Sequence, residues 1–187
     1  AGLHRDDPLS VPTRLRLPLT PSGIRGWRVA LSMNLGYFEI DEEMVRQTMD
    51  AVKALQRAGA IVEEVDIGWG KSVFEAGVAH YLMFGGWDHP DRLSSWEKTQ
   101  LSDAAREYPE ALRRAPRLDF DESERFRAKM YDDMSKVFKR YRILITPTTT
   151  IPAVAADMPV NGASLSVNGH VVDPVWDWCL TYPFNML

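Results

Sequence analysis

The stretch GWRVALSMNLGYFEIDEEMVRQTMDAVKALQRAGAIVEEVDI, Gly26 to Ile67, reads as strand, helix, strand. Trp27 to Ser32 is a β-prone run with apolar residues at alternate positions. Asp41 offers an N-cap, followed by Glu42 and Glu43 where the helix dipole favours negative charge. From Met44 to Ala58, Val45, Met49, Val52 and Leu55 recur at helical spacing, with Ala51 and Ala58 beside them. This predicts a helix that buries all four large side chains, each contributing roughly 1.5–3 kcal/mol. Gly59 stands where a helix commonly ends in a left-handed residue. Ile61 to Ile67 resumes an extended pattern, and two strands joined by such a helix are expected to lie parallel.

Working outward, Ile143 to Thr146 is apolar on both faces, as a buried parallel strand would be, and Pro147 ends it. The helix feeding it is predicted from Asp121 to about Tyr141, with Asp121 and Glu124 at capping-box spacing. Its apolar stripe comprises Phe126, Met130, Met134, Val137, Phe138 and Tyr141. Another helix is predicted over 71–87, carrying Phe74, Val78, Tyr81 and Leu82. Its glycines Gly77, Gly85 and Gly86 would allow a close neighbour. A further helix enters through Ser94, with Glu97 completing a capping box. After the loop 147–164, Asn168-Gly169 between two short β-prone runs predicts a hairpin over 165–172. The expected fold is therefore α/β: a βαβ-based, mostly parallel or mixed sheet with flanking helices and a C-terminal hairpin. Residues 1–26, with Pro8, Pro12, Pro18 and Pro21, form a linker strap, and 27–187 form a single α/β unit.

Composition narrows the function. A chain of 187 residues can bury roughly 70% of its unfolded surface. A net charge of −4 argues against a nucleic-acid partner. No run of 18 apolar residues indicates a membrane span. Cys179 is the single cysteine, which excludes an internal disulfide and points to a reducing compartment, the cytoplasm. The first residue is Ala1, which suggests a segment of something longer, or processing.

Chemistry-bearing motifs are sparse. There is no His-x-x-x-His, CxxC or phosphate-binding glycine loop, so neither a metal nor another cofactor is expected. Met33-Asn34-Leu35-Gly36 holds one glycine, short of a dinucleotide fingerprint. His4, Asp6 and Asp7 match no ligand spacing, and His80 has no ligand type three or four residues away. Arg113, Arg114 and Arg117 fit a solvated helix end better than an anion site. The tail from Asp173 packs Trp176, Trp178, Tyr182 and Phe184 into fifteen residues, so it should be buried against something.

Four stretches carry a resemblance. Ala1-Gly2 through Pro8 is similar to a linker that follows a catalytic core. Gly26 to Ala30 with Leu55 to Val65, Arg140 to Thr148, and Thr181 to Asn185 resemble successive strands and turns beyond that core. Together they resemble the C-terminal portion of the amidase signature family, with Arg142 where Asp is usual. The resemblance implies hydrolysis of a carboxylic amide through a nucleophilic Ser, a cis-Ser and a Lys. No stretch here matches the serine-bearing motif. The expectation is a chain that contributes scaffold and pocket wall, without a catalytic residue and inactive alone. It would need the core or an oligomer mate to act on a small-molecule amide. The alternative is a non-catalytic interaction subunit that pairs with a core-bearing partner. The resemblance also implies two substrate-binding residues, Trp178 and Asn185. In the related protein that feeds ammonia to misacylated tRNA, an Asp seven residues before the matching Asn grips an amino acid. Trp178 at that place disfavours a zwitterion and suits an aryl or alkyl amide, with core packing as the alternative role for this residue.

Overall fold

The computed structural model describes residues 3–7, 10, 22–84, 93–101, 114, 117–155, 165–173 and 176–187. Strand β1 (Arg28–Leu31) lies between β2 (Ile61–Glu64) and β3 (Ile143–Ile145), parallel to both. In register, Val29 faces Val62 on one side and Ile143 on the other. Val29, Ala30 and Leu31 are buried, so the middle strand is the spine of the core. β2 stops at Glu64, three residues short of the predicted Ile67. β3 is shorter and wetter than its composition suggests, with Ile143 37% exposed. It has β1 on one side alone, so its other edge is open among the described residues.

Helix α1 (Glu42–Arg57) joins β1 to β2, and the Asp41 carboxylate accepts from the Glu43 N–H at 2.8 Å. Gly59 takes φ +95° as the chain leaves the helix, with only 3.1 Å between a Cβ there and Arg25. Of the four large residues expected in its core face, Val52 alone is fully buried, and Thr48 joins it. Val45 and Leu55 are half-buried, while Met49 is 36% exposed. Helical geometry gives the reason. At about 100° per residue the face centred on Thr48 and Val52 has Val45 and Leu55 at its margins and Met49 about 80° from its centre. A sheet of three strands is too narrow to cover that far round.

Helix α2 (Ser72–Phe84) follows, and Gly85 and Gly86 lie outside the described residues. The short α3 (Ser95–Thr99) has the predicted capping box, Ser94 with Glu97. Helix α4 (Phe120–Phe138) begins earlier than predicted, because Asp119 rather than Asp121 is the cap, accepting from Glu122 N–H at 2.8 Å. Packing favours that start: Ser123 is buried and donates to the Ala76 carbonyl of α2 at 3.3 Å. Met130, Met134, Val137 and Tyr141 fill the core as expected, whereas Phe138 is 53% exposed. It shares a face with Tyr131, seven residues earlier and 63% exposed. The hairpin β4 (Leu165–Val167) and β5 (His170–Val172) turns on Asn168 and Gly169, with φ +50° and +82°. The short α5 (Tyr182–Asn185) ends the described chain. Among the described residues, no helix is long and apolar enough to cross a membrane.

Candidate functional site

The exit from β3 places the candidate site. Pro147 turns the chain, and residues 148–150 then pair with 178–180: Thr150 N–H donates to the Trp178 carbonyl at 2.9 Å and Leu180 N–H to the Thr148 carbonyl at 3.0 Å. The Asp41 N–H donates to the Thr150 carbonyl at 2.8 Å, so the same segment also grips the start of α1. Leu180 and Thr150 are fully buried, and Trp178 is left 41% exposed beside them. Upstream, the Asp173 carboxylate accepts from Trp176 N–H at 2.8 Å, and that indole is buried. At the far end, Arg127 Nε of α4 donates to the Met186 carbonyl at 2.6 Å while its other nitrogen holds Glu124.

Between this segment and α2 lies a cavity of about 300 Å³. Gly77, His80 and Tyr81 of α2 form one wall; Trp176, Trp178, Cys179, Thr181, Tyr182, Asn185 and Met186 form the other. The two candidate substrate residues, Trp178 and Asn185, therefore open on the same space. None of these ten residues is Asp, Glu, Lys or Arg. Burial, with the charge of Arg127 nearby, holds His80 below the ordinary histidine range, so the imidazole is neutral at pH 7. Burial pushes the Tyr182 phenol above its usual range, which keeps that group neutral too. Cys179 Sγ and Thr181 Oγ1 lie 2.8 Å apart at the rim. The space can hold a flat apolar group and offer it hydrogen bonds without supplying charge.

A second ring of aromatic contacts supports the wall. Trp176 meets Phe74, Tyr81 and Tyr182 edge-on, with centroids 5.8, 5.6 and 4.9 Å apart. Such pairs add about 0.5–1.5 kcal/mol each beyond burial. Tyr37 and Tyr182 join hydroxyls at 2.8 Å across 145 residues of sequence, and Tyr37 stacks on Phe38 at 4.2 Å. Sequence reasoning missed Tyr37. The usable trace is the turn that presents it, in which Asn34 Oδ1 accepts from Gly36 N–H at 2.9 Å and Leu35 and Gly36 take positive φ.

Other candidates fall elsewhere. His4 Nδ1 accepts from the Asp6 N–H at 3.3 Å in a local turn. Arg114 and Arg117 are exposed, and Arg113 lies outside the described residues. Among the described residues, no group of three or more His, Cys, Asp or Glu is arranged to hold a metal ion. A larger groove, about 750 Å³, runs along α4 and the open side of β3 between Tyr131, Phe138, Leu144, Phe184 and Leu187.

Comparison with known proteins bears on the family and the fold. The chain is 28% identical over 195 residues to an acylamidase of Rhodococcus erythropolis, which covers all of this chain and 39% of that protein. It is 27% identical over 157 residues to a glutamyl-tRNA(Gln) amidotransferase subunit of Lactococcus lactis, covering 70% of this chain and 32% of that one. The solved structure of a bacterial aryl acylamidase of the amidase signature enzymes superposes with a TM-score of 0.67 at 25% identity, over 99% of this chain and 40% of that one. The chain thus spans about a third to two fifths of the length of these relatives. Residues 7–187 match the amidase family as a whole, and the chain belongs to that family.

Proposed function

We propose that this chain is the C-terminal part of an amidase-signature amidohydrolase that cleaves the C–N bond of a neutral aryl or alkyl amide. It supplies sheet scaffold and pocket wall, and it carries no nucleophile. The observation that carries the reading is the cavity, lined by no Asp, Glu, Lys or Arg, on which Trp178 and Asn185 both open. A zwitterionic amino-acid amide would meet no counter-charge in the lining itself, whereas an aromatic ring would exchange water for indole and phenol faces. The similarity to an acylamidase and to an aryl acylamidase supports the same substrate class. In this reading Trp178 packs against the ring, and the Asn185 amide holds the polar end of the substrate.

The reactive Ser, cis-Ser and Lys come from the core of the complete enzyme or from an oligomer mate. The apolar groove beside the open edge of β3 supports that division of labour, since Tyr131 and Phe138 are large side chains with nothing over them among the described residues. The same groove favours the second reading, a separate non-catalytic subunit that pairs with a core-bearing partner. A single half-exposed thiol and the acidic balance suit a reducing, cytoplasmic setting without nucleic acid or membrane. The test is calorimetric titration of the purified chain with acetanilide and with glutamine. The reading predicts heat from acetanilide alone; binding of glutamine in preference would refute it.

A further inference from the structure

A parallel layer sorts charge by its own geometry. Helix dipoles favour acids at helix starts and bases at helix ends. Both α1 and α4 end at the amino edge of the sheet, where the next parallel strand begins. Glu42 and Glu43 open α1, and Asp121 and Glu122 open α4; Arg57 closes the first, while Lys136, Lys139 and Arg140 close the second. The strands add to the same edge. Arg28 opens β1, and Arg142 stands just before β3 with its N–H donating to the Arg28 carbonyl at 2.9 Å. Cations side by side on neighbouring strands repel, and among the described residues Glu63 is the carboxylate that answers them.

That carboxylate is already engaged. Glu63 takes Arg28 at 2.7 Å and the Tyr141 hydroxyl at 2.6 Å, and it meets Arg140 only through longer-range attraction. Among the described residues, neither Arg140 nor Arg142 forms an ion pair, and both are exposed. Each rests on a ring instead. The Arg142 guanidinium lies 4.1 Å from the centre of the Trp27 ring, and that of Arg140 5.5 Å from the centre of Tyr141. A ring contact holds a guanidinium by its face and leaves the in-plane N–H fork unspent. Such a fork loses less entropy when a carboxylate meets it. The chain as a whole is acidic, at −4, and the opposite side carries Glu39, Glu42, Glu43 and Asp66, all exposed. A long polyanion would run off the patch into like charge, whereas a short acidic segment would meet guanidiniums alone. We propose that the amino edge of the sheet is a docking surface for an acidic segment of a partner polypeptide, whose carboxylates pair with Arg140 and Arg142. This contact is independent of what the cavity binds.

The experiment follows the indole N–H resonance of Trp27, the ring beneath Arg142, while the 187-residue chain is titrated with a capped oligoglutamate peptide and, separately, with tripolyphosphate. Oligoglutamate moves the resonance, binds more tightly than tripolyphosphate, and weakens as salt shortens the reach of charge. Arg140→Gln combined with Arg142→Gln weakens oligoglutamate binding about tenfold. Arg142→Lys keeps the charge without the stacked fork and weakens it about threefold. Arg46→Gln, which removes an exposed cation of α1 beside Glu43, leaves binding unchanged. A motionless Trp27 resonance, or undiminished oligoglutamate binding in the folded double variant, overturns the assignment. Tighter binding of tripolyphosphate overturns it in favour of a phosphate site. Self-association of the unaltered chain at low salt that the double variant abolishes overturns it in favour of a second copy.

Discussion

The sheet and the aromatic pocket are built on different principles. In the sheet, β1 is held by evenly spaced backbone ladders on both sides, and its buried residues are small or aliphatic: Val29, Ala30 and Leu31. In the pocket, α2 and residues 176–186 meet through rings and single side-chain hydrogen bonds, and the backbone of the second segment is mostly turns. The first arrangement repeats, so the loss of one contact leaves the neighbouring ones in place. The second does not repeat, and most of its contacts join residues far apart in the chain. The comparison teaches that the framework and the candidate pocket are separate parts of the molecule, with Thr148 to Thr150 as the strap between them.

Substitutions can break that contrast or sharpen it. The largest effect is expected from Val52→Asp, which puts an unpaired charge beneath the sheet at a position 3% exposed. It should cost on the order of 4 kcal/mol and lower the melting temperature by roughly 10 °C. An unchanged thermal unfolding curve would contradict the placement of α1. Trp176→Ala should cost about 3 kcal/mol, because the indole is buried and joins three rings. Hydrogen exchange should show its loosening confined to α2 and residues 176–186, with β1 still protected; equal loss of protection in β1 would merge the two regions.

The smallest expected effect lies at the outer corner of the sheet. Tyr141 donates to Glu63 Oε2 at 2.6 Å, and Arg28 clasps the same carboxylate at 2.7 Å. The Tyr141 hydroxyl first, then Arg28, hold Glu63 below the usual carboxylate range. A carboxyl depressed in the folded state stabilises at pH above its unfolded pKa, and that contribution fades as pH falls through the lower folded value. Tyr141→Phe should raise the Glu63 pKa toward the ordinary range in an NMR titration and narrow the gap between neutral and acid stability. An unmoved pKa would assign the depression to Arg28 alone.

How much of this was legible in the sequence follows from the same contrast. Gly26 to Ile67 declares itself because helical and strand periods recur over forty residues, and Asn168-Gly169 because its turn needs positive φ at both positions. Met49 and Phe138 lie outside the core for a different reason: periodicity gives a helix its apolar side but not the width of the surface that will cover it. The cap of α4 is ambiguous in the sequence because Asp119 and Asp121 are both competent caps, and the bond from Ser123 to Ala76 favours Asp119. Resemblance singled out Trp178 and Asn185, and the structure brings them to one cavity. Tyr37 and Gly77 gain their meaning only from Tyr182, which lies more than a hundred residues away from each.

The central claim is that this stretch holds an amidase's framework and ring pocket while the hydrolytic groups reside elsewhere. The most direct test is to incubate the purified 187-residue chain with acetanilide and measure released aniline. The account predicts saturable binding and no aniline above the rate of the buffer. Turnover that survives repurification and disappears on substitution of a serine or lysine in this chain would contradict it.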